Sequence, residues 1–315
     1  MRRETPPGDD GSGGSGGPAL GDLVQPFQME TLGVRGRLVR LGPALDAILG
    51  GHGYPDAVAA MLAETLSLAA ALAGGLKYHG LFTLQTKGDG PLGMMVADVT
   101  SDGAVRGYAR FDEARLEAAA DGGGPVPRLL GAGYMAFTVD QGPDTERYQG
   151  ITEIEGATLA DCAHVYFRRS EQLETAITLA STPAPTEPRA GALMVQRMPI
   201  GDNEAGGGSK ATDEGWRRAV ILMSTAGAGE LLDPALAPAD FLYRLFHQEG
   251  VRVFRTRPLR HACRCSRDKV ERTLASFPRK EVEAMTEDGK VTVTCEFCKA
   301  AYVYGDVELA ALYAP

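Results

Sequence analysis

Short runs in which hydrophobic and polar residues alternate occupy much of the chain between residues 33 and 198. In the first run, Val34 and Leu38 fall on one face, and Arg35 and Arg37 fall on the other. A two-residue period predicts a half-buried β-strand, because successive side chains point to opposite faces of a sheet. The predicted strands span residues 33–41, 81–86, 92–99, 105–111, 134–139, 175–181 and 193–198.

Three apolar segments with the wider spacing of a helix lie among these strands. They span residues 43–49, 55–76 and 158–172. The longest contains Glu64, Thr65 and Ser67, so we predict a buried helix there rather than a membrane span. Strands that follow one another in hairpins, with helices grouped between them, predict an α+β fold with a mostly antiparallel sheet packed by helices. This α+β domain is expected to cover residues 21–199.

The segments on either side of this domain have a different character. Residues 1–20 contain six glycines in the first 18 positions, and we predict a disordered tail because so little apolar surface can be buried. Residues 200–257 are predicted to form a linker, with a Gly-rich loop at 201–209 and short helices at 213–225 and 238–248. The second helix places four large apolar side chains on one face: Phe241, Leu242, Leu245 and Phe246. Short helices need a packing partner to persist, so the order of the linker is expected to depend on its neighbours.

Composition narrows the functional classes. The chain has 315 residues, of which 44% are hydrophobic and 23% charged, which excludes a fully disordered chain. A net charge of −9 argues against a nucleic-acid coat protein. The charged and Gly-rich start has no apolar core of a secretory signal, so we expect a cytoplasmic protein in a reducing compartment.

Four of the five cysteines lie within 36 residues near the C-terminus, in the order C-x-C, 29 residues, C-x-x-C. They are Cys263, Cys265, Cys295 and Cys298. Four thiolates are a common ligand set for tetrahedral zinc, so we predict one zinc ion in a small C-terminal domain at 258–315. The second pair falls between two β-prone runs, 291–294 and 300–304, which predicts a hairpin with the thiols at its tip.

The first cysteine pair is unusual, because most zinc modules space their ligands as C-x₂₋₄-C. A disulfide within C-x-C would close a very small ring, and strained disulfides tend to be the labile, regulatory ones. Residues 251–280 carry a net charge of +8, and positive neighbours lower thiol pKa values and raise susceptibility to oxidants. The spacing therefore suits a thiol pair that cycles between reduced and oxidised forms.

The size of the C-terminal domain gives such cycling a consequence. A domain of this size rarely has more than about 3–5 kcal/mol of core stability, whereas a structural zinc contributes about 10–16 kcal/mol in small finger peptides. Loss of zinc is therefore expected to unfold this domain. We expect the linker then to lose its packing partner and expose Phe241, Leu245 and Phe246.

Two further residues near these motifs have plain structural interpretations. Cys162 lies beside Ala160 and Ala163 on a predicted helix, which favours a buried small hydrophobe over a redox role. His261 is close to Cys263, but four thiolates already complete a tetrahedral site, so His261 is not expected to be a ligand.

The residues alone leave several functions open. The cysteines can form a purely structural zinc knuckle, and the basic run at 251–280 can belong to a zinc-stabilised nucleic-acid-binding protein. A thiol oxidoreductase would need its C-x-x-C near a βαβ pattern, whereas here the motif lies between two short strands. No hydrolytic constellation stands out among the five scattered histidines, so we do not expect an enzyme.

The cysteine spacing and several sequence blocks resemble the redox-regulated heat-shock protein 33 family. The similarity runs from about residue 22 to 312. The matching blocks are residues 33–37, 82–86, 88–91, 106–110, 148–150, 166–167 and 170–173. Three features depart from the family pattern: Glu174 stands where the family usually has proline, the 201–209 loop is longer, and the N-terminal tail has no counterpart.

The resemblance implies an ATP-independent holdase, a chaperone that binds unfolding proteins and prevents their aggregation. It implies a compact, zinc-bound and inactive reduced state. Oxidation would form the disulfides Cys263–Cys265 and Cys295–Cys298, with release of zinc, unfolding of the linker and formation of a homodimer. ATP-driven foldase chaperones would then receive the held clients. We expect the apolar face of the 238–248 helix to contact those clients.

Overall fold

The structure is a computed structural model that describes residues 21–119, 124–143, 145–182, 187–198 and 208–313, with side chains from residue 213 in the last range. The predicted tail at 1–20 and residues 201–207 of the predicted loop lie outside the described residues. The loop prediction is wrong at its end, since a helix begins at Gly208.

The first sheet has six strands and is antiparallel throughout, in the order β10-β1-β2-β9-β8, with β11 also pairing with β1. Its strands are β1 (Leu23–Met29), β2 (Val34–Leu41), β8 (Thr175–Thr182), β9 (Arg189–Arg197), β10 (Val251–Val253) and β11 (Arg257–Pro258). Strand β1 was not predicted from the sequence, because Pro26 interrupts its pattern.

The second sheet has the order β12-β5-β4-β3-β6-β7 and is antiparallel except for the β12–β5 pair. Its strands are β3 (Leu81–Gly88), β4 (Met94–Thr100), β5 (Ala104–Arg110), β6 (Gly133–Asp140), β7 (Tyr148–Glu153) and β12 (Arg260–His261). A separate hairpin of β13 (Lys290–Thr294) and β14 (Ala301–Gly305) lies in the C-terminal region. The predicted α+β class with antiparallel sheets is confirmed.

Ten α-helices connect these strands within the described residues. They are α1 (Pro43–Leu49), α2 (Asp56–Ala73), α3 (Glu113–Ala118), α4 (Leu159–Tyr166), α5 (Gly208–Ser224), α6 (Ala228–Leu232), α7 (Pro238–Phe246), α8 (Arg267–Ala275), α9 (Arg279–Glu283) and α10 (Asp306–Leu312). The predicted helix at 158–172 is present as α4, which is followed by one wider π-helical turn, Phe167–Glu171.

Helix α2 lies between the two sheets and forms the centre of the largest hydrophobic core. By length and composition the helix could cross a membrane, but 78% of it is buried inside the fold. Leu62, Leu66 and Leu68 have no exposed surface. The prediction of a buried helix rather than a membrane span is therefore confirmed for this segment.

The helices of the linker pack on the face of the first sheet that points away from α2. Phe241, Leu242 and Phe246 from α7 share a core with Phe27 and Leu38 from β1 and β2. The Phe27 and Phe246 rings stack with centroids 5.6 Å apart. The expectation that the C-terminal domain is the packing partner of this apolar face is wrong, since the face is buried against the first sheet.

A segment from Val251 to Ala262, which we call the strap, runs from the linker to the cysteines and touches both sheets. Val253 pairs with Phe27 at the edge of the first sheet. Beyond β11, His261 pairs with Val105 in the second sheet, and the Ala262 N–H donates to the Val105 carbonyl at 3.1 Å. The strap therefore joins the last linker helix to Cys263 through contacts with both sheets.

The C-terminal region has a core of its own, but a small one. Its buried members are Leu274, Val282, Val291, Tyr304 and Leu309. The predicted helix starts at Ser266 and Pro278 are present: the Ser266 hydroxyl accepts from the Lys269 N–H at the start of α8, and Pro278 precedes α9. Five buried side chains give little stability to a region of this size, so a bound metal would contribute substantially to its folding.

Candidate metal centre

The β13–β14 hairpin positions the second cysteine pair. The Cys295 N–H donates to the Ala300 carbonyl at 2.9 Å, and the Lys299 N–H donates to the Cys295 carbonyl at 2.9 Å. Lys299 closes this turn with φ of +57°, a left-handed conformation. The hydrogen bonds fold the C-x-x-C segment into a tight knuckle at the hairpin tip, where both thiols face the same side.

The first cysteine pair arrives from the end of the strap. Cys263 follows two residues after the last paired residue of β12, and Ser266 then caps α8 immediately after Cys265. The Tyr302 hydroxyl, on β14, donates to Cys265 Sγ at 3.1 Å. Strand pairing on one side and a helix cap on the other thus hold the C-x-C segment against the knuckle.

The four thiols form one cluster whose ligand atoms all lie within 4.8 Å of one another. The sulfurs of Cys263 and Cys295 are 3.7 Å apart, and those of Cys265 and Cys298 are 3.4 Å apart. A tetrahedral zinc with bonds of about 2.3 Å needs sulfurs about 3.8 Å apart. All five cysteines of the chain are free thiols. The donor set and its spacing therefore fit a tetrathiolate zinc ion.

The four thiols do not share one electrostatic environment. Burial raises the pKa of the Cys263 thiol, but hydrogen bonds from the Cys265 backbone and from neighbouring thiols lower it by more, to about 7. Burial raises the pKa of the Cys298 thiol to about 12. A bound cation would favour the thiolate form at every position, because metal ligation requires deprotonated sulfur.

The cysteine cluster is docked on the outer face of the second sheet through a shared carboxylate. The Asp98 side chain is only 6% exposed, and its Oδ2 lies 2.8 Å from Arg264 Nη2 and 2.7 Å from Arg106 Nη2. Arg264 is the residue between the two cysteines of C-x-C. This buried carboxylate on β4 therefore ties the metal-binding segment to the second sheet, since it accepts charge-assisted hydrogen bonds both from Arg264 and from Arg106 on β5.

The knuckle also contacts its surroundings through the two residues between its cysteines, of which Phe297 meets the second sheet. The Arg106 guanidinium lies 3.7 Å from the centroid of the Phe297 ring, and Tyr108 meets the same ring edge-on at 4.8 Å. His52 Nε2 is 3.0 Å from the Glu296 carbonyl oxygen. A side chain from each cysteine pair thus contacts the second sheet, Arg264 at Asp98 on β4 and Phe297 at two residues of β5.

We expect Phe297→Ala to loosen this docking without removing the metal. The cation–π contact and the aromatic pair together are worth about 1–3 kcal/mol. Backbone amide hydrogens of Arg260 and Ala262, which bond to the second sheet, should exchange about tenfold faster or more, as measured by hydrogen exchange. Phe277→Ala, at a ring 42% exposed in the same region, is the control. Unchanged exchange at these two amides would contradict the docking role of Phe297.

The proposed client-contact residues are not on the surface in this structure. Phe241, Leu242 and Phe246 have no exposed surface, and Leu245 is half-buried at the edge of the same core. The exposed aromatic residue of α7 is Tyr243, at 63%. This apolar face can meet a client only after α7 leaves the first sheet.

Sequence reasoning missed Arg40, which holds the linker to the first sheet. Its guanidinium is buried and donates to the carbonyl oxygens of Glu230 and Asp233 at 2.9 Å each, and also to that of Leu236. The same group lies 5.7 Å from the Phe241 ring centroid. The sequence shows only an arginine within a predicted strand, and no local pattern identifies the three carbonyl groups that Arg40 binds.

The fold also places Cys162 and the glycines of the 88–91 block. Cys162 is fully buried on α4, and burial raises the pKa of its thiol to about 11, as suits a small hydrophobe. The Gly88–Gly90 segment forms a turn against the 126–130 helix, where the Gly90 N–H donates to the Leu130 carbonyl. A Cβ at Gly88 would lie 2.0 Å from the same oxygen, so close backbone approach requires glycine there.

Comparison with known proteins gives a consistent result. The family model described as Hsp33 protein matches residues 22–305. The 33 kDa chaperonin of Caulobacter vibrioides is 43% identical over 290 residues, covering 90% of this chain and 94% of the relative. The 33 kDa chaperonin of Ectopseudomonas mendocina is 34% identical over 297 residues, covering 94% of this chain and 96% of the relative.

A solved structure shows the same fold. The crystal structure of the 33 kDa chaperonin from Thermotoga maritima superposes with a TM-score of 0.77 at 24% identity, covering 92% of this chain and 97% of the other. The relatives are named as chaperonins rather than as enzymes. With a family model matched along most of the sequence and relatives above 30% identity over nearly their full length, this chain belongs to the Hsp33 family of chaperones.

Proposed function

We propose that the protein is a redox-regulated, ATP-independent holdase. In the reduced state, Cys263, Cys265, Cys295 and Cys298 hold one zinc ion, and the linker covers the first sheet. Zinc, when bound, keeps the four sulfurs together and stabilises the small C-terminal core. The observation that supports this proposal best is that Cys263 directly follows the strap, which connects the cluster to the linker and both sheets.

The oxidation step uses hydrogen peroxide as the oxidant. The family resemblance implies the pairs Cys263–Cys265 and Cys295–Cys298. For each pair, two thiolates give up two electrons and form one sulfur–sulfur bond, while one peroxide takes up these electrons and two protons and leaves as two waters. Oxidised sulfurs no longer serve as thiolate ligands, so zinc leaves and the small C-terminal core loses its main support.

Unfolding would pass from the cysteines to the linker along the strap. Loss of the Arg264–Asp98 contact frees the end of β12, and the two residue pairs between β12 and β5 are too few to hold it alone. Strands β11 and β10, with two and three paired residues at the edge of the first sheet, come next, and α7 lies shortly before β10 in the chain. Each step removes the anchor of the next one.

Release of the linker exposes two kinds of surface that bind unfolding proteins. One is the apolar face of α7, with Phe241, Leu242, Leu245 and Phe246, which is the proposed client contact. The other is the first sheet, whose apolar face is uncovered while the edge of β1 loses its β10 partner. Exposed apolar patches and unpaired strand edges are both sites of association with other chains.

The wider setting of this activity follows from the family resemblance. We propose that the oxidised protein forms a homodimer, acts in the cytoplasm and transfers its clients to ATP-driven foldase chaperones. Holding a client requires no bond to be broken, so we propose no enzymatic activity. The predicted domain limits, 21–199, 200–257 and 258–315, are kept as part of this proposal.

The basic run does not favour the nucleic-acid alternative. Of the eight arginines in residues 251–280, five lie in ion pairs with carboxylates. They are Arg252, Arg260, Arg264, Arg267 and Arg279. These charges are largely used within the fold rather than presented as one phosphate-binding surface.

We expect Arg40→Met to lower the stability of the docked linker while leaving the cysteines intact. Three backbone carbonyls would lose a charged donor, and hydrogen bonds to charged groups contribute about 1.5–3 kcal/mol each. Limited proteolysis of the reduced protein should therefore cut the linker at a lower temperature than in the wild type. Arg35→Met, at an exposed position of the same strand, is the control. Equal cleavage temperatures for Arg40→Met and wild type would contradict this role.

Light scattering of a thermally unfolding client protein tests the proposed function. The chain is added without ATP, either reduced with zinc or pretreated with peroxide at elevated temperature. We expect only the oxidised form to suppress aggregation. Suppression by neither form, or equal suppression by both, would contradict the redox-regulated holdase.

A further inference from the structure

A cavity of about 320 Å³ opens beside α2 between the two sheets, away from the cysteines and the linker. Its apolar lining includes Leu72, Phe82, Phe137 and Met194, and its polar lining includes Arg37 and Glu171. Volumes of 300–1,000 Å³ with a mostly apolar lining and a few polar groups are typical of ligand sites. Neither the family name nor the proposed function gives this cavity a role.

Arg37 is the unusual member of this lining. Its side chain is fixed on β2, the residue is only 6% exposed, and its Nη1 donates to Gln196 Oε1 at 3.2 Å and to Met194 Sδ at 3.6 Å. Within the described part of the chain, no carboxylate lies within 4.0 Å of its guanidinium. A buried charge is costly unless it is paired, so the fold carries an uncompensated cation at this point.

The surroundings add positive charge rather than neutralise it. Burial, followed by the nearby charges of Arg35 and Arg257, lowers the pKa of the Arg37 guanidinium to about 10. Glu171 also lines the cavity, but its Oε1 accepts hydrogen bonds from the Tyr148 and Tyr166 hydroxyls at 2.6 Å each. The cation therefore lacks an anion of its own.

The backbone is shaped to accommodate this guanidinium. A Cβ at Gly75, just after α2, would lie 2.2 Å from Arg37 Cζ. The guanidinium therefore packs directly against the Gly75 backbone, and a larger residue there would have to displace it. This close packing, a glutamine that fixes one end of the guanidinium and an apolar wall together make a preformed site.

We propose that this cavity binds a small monocarboxylate with an apolar body. The planar guanidinium matches a carboxylate in a two-pronged geometry, and a charge-assisted pair gains strength in a site shielded from water. Phe82, Phe137 and Leu72 would cover the apolar body of the ligand. The proposal does not depend on the redox switch, because the cavity lining contains no cysteine.

Two-dimensional NMR titration of the reduced, zinc-loaded full chain with octanoate tests the site. Octan-1-ol has the same body without the charge, and acetate has the charge without the body. We expect saturable shifts at the backbone amides of residues 35–37, 75–76 and 194–196 with octanoate, and binding at least about tenfold weaker for both controls. Equal affinity for octan-1-ol and octanoate, or no saturable shift at these amides, would overturn the proposal.

Variants separate binding from folding. Arg37→Met should weaken octanoate binding by about tenfold or more and should not lower the unfolding temperature, since it removes an unpaired buried charge. Arg168→Met, at an exposed arginine outside the cavity lining, should bind octanoate as the wild type does. If Arg37→Met fails to fold, Arg37→Gln makes the same test with a neutral polar group. Unchanged octanoate affinity in a folded Arg37 variant would overturn the proposal.

Discussion

Removal of the metal from the reduced protein is expected to unfold the region that follows the strap while α2 and strands β1–β9 stay folded. The C-terminal core has five buried apolar side chains, and a core of this size gives only about 3–5 kcal/mol. A structural zinc contributes about 10–16 kcal/mol in small finger peptides, so its loss exceeds what the core can compensate. The large core around α2 contains none of the four clustered cysteines.

Hydrogen exchange before and after addition of a chelator to reduced protein measures this effect. Amides of β13 and β14 should lose their protection, whereas those of α2 and β3 should keep theirs. Cys162→Ala is the matched control, because it removes the buried cysteine that lies outside the cluster and should leave metal binding intact. Persistent protection of the β13–β14 hairpin after complete metal removal would show that its core is sufficient alone.

A linker variant should give a chaperone that needs no oxidant. Phe246→Ala removes a fully buried ring that stacks on Phe27, and such truncations cost about 3–5 kcal/mol. That loss falls on the contact between α7 and the first sheet, and it leaves the cysteines untouched. The reduced, zinc-loaded variant should therefore suppress client aggregation to a degree that the reduced wild type does not reach.

The exposed aromatic residue of the same helix provides the control. Tyr243→Ala removes a ring that is 63% exposed and lies outside the buried face, so this variant should remain inactive when reduced. Metal content should be equal in Phe246→Ala, Tyr243→Ala and wild type. If reduced Phe246→Ala binds no more client than Tyr243→Ala, undocking of α7 is not sufficient for activity.

Local patterns in the sequence predicted the elements whose signal is local. The alternation in 33–41 and 134–139 corresponds to β2 and β6, and the C-x-C and C-x-x-C spacing predicted four thiols that the fold brings together. The knuckle needs only a hairpin and a few adjacent backbone hydrogen bonds. Information of this kind is contained in a few neighbouring residues.

Contacts between distant segments could not be predicted in this way. Strands β10 and β12 have three and two residues, too few for any periodicity, and they exist because β1 and β5 offer free edges. Strand β7 has exposed residues on both faces and therefore lacks the alternation of a half-buried strand. The Arg264–Asp98 pair joins residues 166 positions apart, which no local pattern encodes.

The surface that the linker packs against could not be predicted from the sequence either. The apolar face of α7 was visible in the sequence and established that the helix must pack against something. Which surface it meets depends on Phe27, whose ring lies over Gly36, where a Cβ would come within 2.1 Å of the ring. This cross-strand arrangement leaves Phe27 available to stack on Phe246. An amphipathic pattern identifies the face to be buried, but not the surface that covers it.

The coupling between the cysteines and the linker is tested most directly by a peroxide titration with two readouts on one sample. A chromogenic chelator reports released zinc, and light scattering reports the aggregation of a thermally unfolding client. We expect zinc release and suppression of aggregation to share one midpoint, because one cluster supports both the C-terminal core and the strap. Full suppression while zinc stays bound, or complete zinc release without suppression, would contradict this account.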